Sequence, residues 1–228
     1  MAKLSKRLER IISFVDKGAK IADVGCDHGF VPIELIERNI ASEACALDVN
    51  SDPLSKAKSN AERAGISGKI NFYLSNGLEK LPAGKADTVI IAGMGGILMA
   101  RILDEGPRNV MDGLKTFILA PQSEYEHFRH YLADKGFEIK DEALIEEDGK
   151  YYPIIKAELT GKSYSYENEI YYRYGKILPE RRDPVLRENL LNDISNLNKL
   201  LGIRSLPEAR RKELEKEKRL AEELLKED

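Results

Sequence analysis

The chain has 228 residues and a formal net charge of −3, with 36 basic and 39 acidic side chains. This length supports one large hydrophobic core and a smaller appendage, and the charge excludes a general basic field for nucleic acid. Two cysteines and the lack of a long apolar run predict a reduced, cytoplasmic protein without a membrane span. We expect no metal site, because His127 and His130 lack further ligands nearby in sequence.

The N-terminal segment predicts an amphipathic helix over residues 3–15, because its apolar side chains fall on one helical face. Residues 1–20 carry six basic and two acidic side chains. Two interpretations of the basic residues remain open: a solvated helix face, or contacts with the phosphates of a nucleic acid. The candidates for phosphate contacts are Lys3, Lys6, Arg7 and Arg10.

A glycine turn follows the first strand, which we predict over residues 20–24. The turn reads DVGCDHG over residues 23–29, and Pro32 suits the first turn of the next helix. Asp48 ends a second apolar run over residues 43–48, 23 positions after Gly25. A strand, a glycine turn, a helix start and a distant carboxylate for ribose hydroxyls are typical of a nucleoside site on an open α/β sheet.

The chemistry of this turn favours one class of cofactor. Asp27 and Phe30 stand where a dinucleotide fingerprint needs its second and third glycines. A pyrophosphate would meet the negative charge of Asp27, whereas S-adenosylmethionine has no phosphate and carries two cationic groups that Asp23 and Asp27 would attract. The sequence therefore predicts S-adenosylmethionine as the cofactor; the alternative is an ordinary strand–helix turn that binds nothing.

Strands and helices then alternate along the chain. The pattern predicts helices over 52–64 and 124–135, strands over 69–74, 87–92 and 115–120, and a hairpin formed by 137–147 and 150–159. Repeated strand–helix units predict a parallel sheet with right-handed crossovers. With its final antiparallel hairpin, this α/β arrangement resembles the Rossmann-like sheet of class I S-adenosylmethionine-dependent methyltransferases.

The pattern changes after residue 160, which predicts two domains, 1–160 and 161–228. In the second, apolar residues recur at spacings of three and four in a coiled-coil-like stripe, so we expect two antiparallel helices. The stripe consists of Leu186, Leu190, Ile194, Leu197 and Leu201. Tyr172 and Arg173 lie in a tyrosine-rich segment that either stacks on a base or packs the helices onto the sheet.

Ligands of open α/β sheets bind outside the carboxyl ends of the strands. Asn76 offers a donor and an acceptor to the cofactor adenine, or is a turn residue before Gly77. The glycines of the loop at 92–96 allow close approach of a flat substrate, or form a helix-entry turn. The cofactor-binding candidates are Asp23, Gly25, Cys26, Asp27, His28, Asp48, Val49, Asn76, Gly77, Ala92, Gly93 and Met94.

Three segments together resemble the bacterial tRNA adenine-22 N1-methyltransferases, the TrmK family. They read IADVGCDH at 21–28, IAGMGG at 91–96 and EEDGKYY at 146–152. The likeness covers residues 3–158 and includes LSKRL at 4–8. The chain departs from the family pattern in two places. Gly29 and Phe30 replace Ala and Tyr, and APQS at 120–123 replaces a run similar to Gln-Pro-Asn.

The resemblance implies methyl transfer from S-adenosylmethionine to N1 of a D-arm adenine in tRNA, and a C-terminal helical domain. The catalytic candidates are Asp27 to stabilise the cationic base, His28 to position it, and Met94 in the loop that faces the methyl group. Further substrate-binding candidates are Gly95, Gly96, Gln122, Tyr172 and Arg173. Two alternatives stay open: a methyltransferase of another RNA or of a protein, and a non-catalytic nucleotide-responsive binding module. We expect a monomer, with a homodimer left open.

Overall fold

The computed structural model describes residues 4–203 and 205–227. The strands are β1 Ala19–Val24, β2 Ala41–Asp48, β3 Ile70–Leu74, β4 Thr88–Ala92, β5 Thr116–Ala120, β6 Phe137–Glu147 and β7 Lys150–Leu159. The helices are α1 Lys6–Ser13, α2 Phe30–Glu37, α3 Ser51–Arg63, α4 Gly96–Asp104, α5 Arg108–Met111, α6 Tyr125–Asp134, α7 Ile170–Tyr174, α8 Ile177–Glu180, α9 Pro184–Leu201 and α10 Glu208–Glu227. A 3₁₀ turn spans Ser67–Lys69.

The strands form one mixed sheet in the order β3-β2-β1-β4-β5-β7-β6. Strands β1 to β5 pair in parallel, and β7 runs antiparallel to both β5 and β6. The predicted class I methyltransferase sheet and its closing hairpin are therefore confirmed. The chain leaves β1 for β2 on one side and later returns to β4 on the other, so the switch point lies at the carboxyl ends of β1 and β4.

Both faces of the sheet are covered, which explains why its central strands read as continuous apolar runs. Neighbouring residues of β4 belong to different core clusters: Ile90 packs on one face and Ile91 on the other. Ile118 and Leu119 of β5 alternate in the same way. This double cover holds the strands rigidly, so the loops at their carboxyl ends have fixed starting points.

The observed helices differ from the predicted ones in two respects. Helix α1 begins at Lys6 because Ser5 is its N-cap, with its side chain accepting a hydrogen bond from the Leu8 amide. Lys3, a predicted phosphate contact, lies outside the described residues. The predictions also missed α4, α5, α7 and α8, because each is short or begins among glycine, proline or aromatic residues of low helix propensity.

The C-terminal helices form a third apolar cluster. Asp183 caps α9 by accepting from the amides of Val185 and Leu186, and the helix ends at Gly202 as predicted. Leu190 of α9 and Ala221 of α10 pack in this cluster together with Leu144 of β6. The domain boundary at residue 160 stays a prediction, because the helical cluster includes part of the sheet. No helix of the described residues is long and apolar enough to cross a membrane.

Candidate functional site

The turn after β1 is fixed to the end of the neighbouring strand. The amides of Gly25 and Cys26 both donate to the carbonyl oxygen of Leu47, at 2.8 and 3.0 Å. Gly25 has a φ of +74°, and a Cβ there would collide with the terminal methyl of Met94. This position therefore favours glycine for its backbone conformation, and the Met94 side chain fills the space beside it.

Asp48 holds its carboxylate at the same edge of the sheet. Its Oδ2 accepts from the Asp27 amide at 3.2 Å, and its Oδ1 accepts from the Asn50 amide at 2.9 Å. The side chain is buried, whereas that of Val49 is 64% exposed. Each carboxylate oxygen can accept further hydrogen bonds. Two backbone amides thus orient the carboxylate that we predict to bind the ribose hydroxyls.

Asp23 makes the base of the turn electrostatically unusual. Burial, together with the negative charge of nearby Asp48, raises the pKa of the Asp23 carboxyl to about 7. A cation bound beside it would favour the ionised form. The site therefore favours a positively charged ligand group over a phosphate, as the sequence predicts.

A cleft of about 360 Å³ opens beside this turn; we call it the cofactor cleft. Its lining includes Arg7, Asp23, Gly25, Cys26, Asp27, Phe30, Ala92 and Gly93. His28 lies next to it, with its Nε2 3.7 Å from an Asp27 carboxylate oxygen. The structure thus brings most of the predicted turn and loop residues together.

The candidate adenine contacts lie further along the same edge. The Ser75 amide donates to the Asp48 carbonyl oxygen at 2.8 Å, which joins the loop after β3 to the end of β2. Asn76 follows with an exposed side chain, and Gly77 has a φ of +54° where a Cβ would lie 3.0 Å from Ile102. Asn76 therefore follows a residue that is hydrogen-bonded to Asp48, and its contact with the adenine stays a prediction, while Gly77 packs against Ile102.

Arg7 has a different environment from the predicted one. Its guanidinium carbon lies 4.7 Å from the centroid of the Tyr152 ring, and its Nε is buried without a hydrogen-bond partner. It lines the cofactor cleft together with Asp23 and Asp27, so a role in cofactor binding stands beside its predicted contact with a tRNA phosphate. Lys6 is exposed, and Arg10 lies over the ring of Phe14, the residue that caps the end of α1.

The glycines after β4 are only partly open to a substrate. A Cβ at Gly96 would lie 2.8 Å from the Phe128 Cβ, and one at Gly95 would lie 2.7 Å from a carboxylate oxygen of Glu124. Gly96 is buried against Phe128 and the loop after β5, which favours a helix-entry role for it, whereas Gly95 is half-buried and its contact with a substrate stays a prediction. Gly93 is more open, with the Gln122 side-chain nitrogen 3.6 Å from its Cβ position.

The two candidates in the tyrosine-rich segment, Tyr172 and Arg173, have different environments in the structure. Tyr172 is 3% exposed, stacks on His130 at 3.6 Å between ring centroids, and accepts a hydrogen bond from the Tyr166 amide. Its predicted role as a stacking platform for a base is therefore corrected to packing. Arg173 donates to Glu217 at 2.9 Å and lines a second cavity, described below.

Three potential metal ligands lie close together near α6. Among the described residues, ligand atoms of Glu126, His130 and Glu169 lie within 4.8 Å of one another. Two of these side chains are exposed, and the Nε2 of His130 lies 3.4 Å from a Glu169 oxygen. The absence of a metal stays a prediction.

Known proteins are similar to this chain in both sequence and fold. A family model described as a methyltransferase domain matches residues 4–155. The tRNA (adenine(22)-N(1))-methyltransferase of Bacillus subtilis strain 168 is 36% identical over 165 residues, which cover 72% of this chain and 69% of that protein.

Two solved structures match over nearly the whole chain. Streptococcus pneumoniae Sp1610 in complex with S-adenosyl-L-methionine has a TM-score of 0.88 and 34% identity, covering 98% of this chain and 100% of that one. The m1A22 tRNA methyltransferase TrmK of B. subtilis has a TM-score of 0.84 and 28% identity, covering 99% and 100%.

Proposed function

The chain belongs to the tRNA (adenine(22)-N(1))-methyltransferase family, and from this premise we propose that it methylates N1 of adenine 22 in tRNA with S-adenosylmethionine. The cofactor cleft is the structural observation that carries the proposal. Asp23 and Asp27 line it with negative charge at the switch point of the sheet, where ligands of this fold class bind. The family relationship favours this function over a non-catalytic binding module.

The residues present fit S-adenosylmethionine, which supplies an electrophilic methyl carbon when it is bound. We assign Asp48 to the ribose hydroxyls, because backbone amides already orient its carboxylate. We assign Asp23 to the ammonium group, because it lines the cleft and a cation beside it would offset the burial and the Asp48 charge that raise the pKa of its carboxyl. Asn76 is the candidate for the adenine amino group.

Arg7 is the candidate for the carboxylate of the same ligand. Its buried Nε lacks a partner, and the side chain lines the cleft beside the residues that we assign to the ammonium group. An unpaired buried donor is costly, so a carboxylate that completes its hydrogen bonds is favoured. Opposite charges on Arg7 and Asp23 would then fix the two ends of the amino acid group.

Asp27 and His28 are the candidates for acting on the adenine. N1 of adenine carries a lone pair in the ring plane, so it needs no general base before it is methylated. Positive charge develops on the base, and a carboxylate oriented towards it stabilises that charge. We assign this role to Asp27, whose backbone has a φ of +49°, and base positioning to His28 beside it.

The proposed function is tested by methyl incorporation from labelled S-adenosylmethionine into unmodified tRNA transcripts. One transcript carries adenine at position 22 and a matched transcript carries guanine there. We expect incorporation into the adenine form alone. Incorporation into both forms would contradict the target position, and none into either, with cofactor bound, would contradict the tRNA substrate.

Two finer proposals accompany the function. We propose a cytoplasmic location, because tRNA is modified there, and a monomeric state. The monomeric state is tested by size-exclusion chromatography coupled to light scattering. A mass near 25.7 kDa is expected, and twice that mass would contradict the proposal.

A further inference from the structure

A second cavity, of about 420 Å³, lies between the sheet and the C-terminal helices; we call it the junction cavity. Tyr125, Tyr151 and Tyr152 line it from the sheet side, and Arg173 and Asn189 line it from the helices. Its volume falls within the range of small-molecule sites. Neither region of the chain forms this cavity alone.

We propose that the junction cavity binds a nucleotide of the tRNA strand that flanks the target adenine. The inference rests on the proposed function, because it names where the rest of that substrate is held. It assigns a binding role to the C-terminal helices, which contribute no residue of the described lining of the cofactor cleft.

The two cavities share a wall. Gln122 lines the junction cavity, and its side-chain nitrogen lies 3.6 Å from the Cβ position of Gly93, which lines the cofactor cleft. Tyr152 lines the junction cavity, and its ring lies under the Arg7 guanidinium in the cleft. The junction cavity therefore lies beside the cofactor cleft, where it can receive a neighbour of the base that enters the cleft.

The tyrosines present oriented rings. The Tyr125 hydroxyl donates to the Gln122 carbonyl oxygen at 2.9 Å, and the Tyr151 hydroxyl accepts from the Asn192 side chain at 2.7 Å. These hydrogen bonds fix the orientation of the two rings, on which a base can stack. Stacking of a base on such a ring contributes to RNA binding with little dependence on base identity.

The charges favour one orientation of the nucleotide. Asp193 lines the cavity and accepts from the Tyr174 hydroxyl at 2.6 Å, which disfavours a phosphate beside it. Lys150 is exposed at the β6–β7 turn on the rim. The base therefore enters among the tyrosines, while its phosphate stays near Lys150.

A buried ion pair keeps the cavity formed without a ligand. The Glu142 carboxylate accepts from Arg129 at 2.7 and 3.1 Å, and from the amides of Lys176 and Ile177, both at 3.1 Å. A Cβ at Gly175 would lie 2.5 Å from this carboxylate, so the chain approaches it closely. These contacts join the segment before α9 to β6, and Asn189 of α9 and Tyr151 of β7 line the same cavity.

The first test uses the lack of tryptophan in this chain. Tyr151→Trp introduces a single fluorescent reporter into the junction cavity, and Ser195→Trp places a matched reporter at an exposed position of α9. With S-adenosylhomocysteine present, we expect tRNA to quench the first reporter by stacking and to leave the second unchanged. Equal responses from both reporters, with tRNA binding verified by gel shift, would overturn the proposal.

The second test fills the cavity from the helical side. Asn189→Phe should weaken tRNA binding by about tenfold at fixed salt, since stacking is worth ~1–3 kcal/mol per base. Its control, Ser195→Phe, adds the same side chain outside the cavity and should bind like the wild type. Calorimetry should show unchanged S-adenosylhomocysteine affinity for both variants.

The outcomes separate this proposal from the proposed function. Wild-type tRNA affinity of Asn189→Phe, with methyl transfer to adenine 22 intact, would overturn the cavity assignment and leave the function standing. Failure of the wild type to methylate any tRNA would instead overturn the function. If Asn189→Phe does not fold, the Tyr151→Trp reporter decides.

Discussion

The cofactor cleft and the junction cavity are assembled in different ways. Most of the cleft lining comes from the carboxyl ends of β1 and β4 and the loops that follow them, and these two strands pair directly within the sheet. The lining of the junction cavity includes Gln122, Tyr151, Arg173 and Asn189, which meet only when the helices dock. The cleft is therefore formed mainly at the edge of the sheet, whereas the cavity forms only where the helices dock against the sheet.

Removing the buried carboxylate of Glu142 should destabilise the docking of the C-terminal helices that forms the junction cavity. Glu142→Leu leaves the buried Arg129 unpaired and two backbone amides without their acceptor. We expect the free energy of unfolding to fall by about 3–5 kcal/mol, measured by denaturant titration. Glu138→Leu, at an exposed site on the same strand, is the control, and an equal change in both variants would contradict the role of the buried pair.

Asp23, at the cofactor cleft, makes the free energy of unfolding depend on pH. Its folded-state pKa of about 7 lies above the ordinary value of 3.8. Because the folded protein binds this proton more tightly, the wild type loses stability as pH rises from about 4 to 7, by at most ~1.4 kcal/mol per pH unit.

Replacing Asp23 isolates that contribution. Asp23→Asn should be more stable than the wild type at pH 8 by about 2–4 kcal/mol, with the gain vanishing near pH 4. Thermal unfolding across that range measures the effect, with Asp52→Asn at an exposed site of α3 as the control. A gain that is independent of pH would contradict the assigned pKa.

Arg7 tests how the cleft recognises the amino acid end of its ligand. Arg7→Gln should weaken S-adenosylhomocysteine binding by about 10–100-fold, since a hydrogen bond to a charged group is worth ~1.5–3 kcal/mol. Binding of 5′-methylthioadenosine, which lacks the carboxylate, should not change. Arg10→Gln on the same helix is the control, and equal weakening of both ligands by Arg7→Gln would contradict the carboxylate role.

Asp27 tests catalysis apart from binding. Asp27→Asn keeps the shape of the side chain and removes its charge, so we expect a turnover loss of about tenfold, or 1.4 kcal/mol. S-adenosylhomocysteine affinity, measured separately, distinguishes lost catalysis from lost cofactor binding. Turnover within about threefold of the wild type would show that Asp27 is not catalytic.

Sequence reasoning succeeded where a short pattern and sheet topology act together. The hairpin over 137–147 and 150–159 was predicted with the observed bounds, because its turn residues and alternation are local signals. Asp48 was predicted beside the glycine turn because the ends of adjacent parallel strands meet at one edge. The structure adds the hydrogen bond from the Asp27 amide that fixes its carboxylate.

The remaining features depend on contacts that are distant in sequence. Arg7 read as one of several basic helix residues, and only the docking of α1 against the cleft distinguishes it from Lys6. Gly96 read as substrate-facing, because its packing against Phe128 involves a helix 29 residues further along. Tyr151 was noted only as part of the EEDGKYY segment and Asn189 carried no signal, since the cavity that they line exists only where the two regions meet.

The separation of cofactor and RNA binding between the two regions is tested most directly by measuring both affinities on two variants. S-adenosylhomocysteine is titrated by calorimetry and tRNA by filter binding at fixed salt, for Arg7→Gln and Asn189→Phe. Arg7→Gln should lose about tenfold or more for the cofactor product and less than about twofold for tRNA, and Asn189→Phe should show the reverse. Equal loss of both ligands in either variant would contradict the separation.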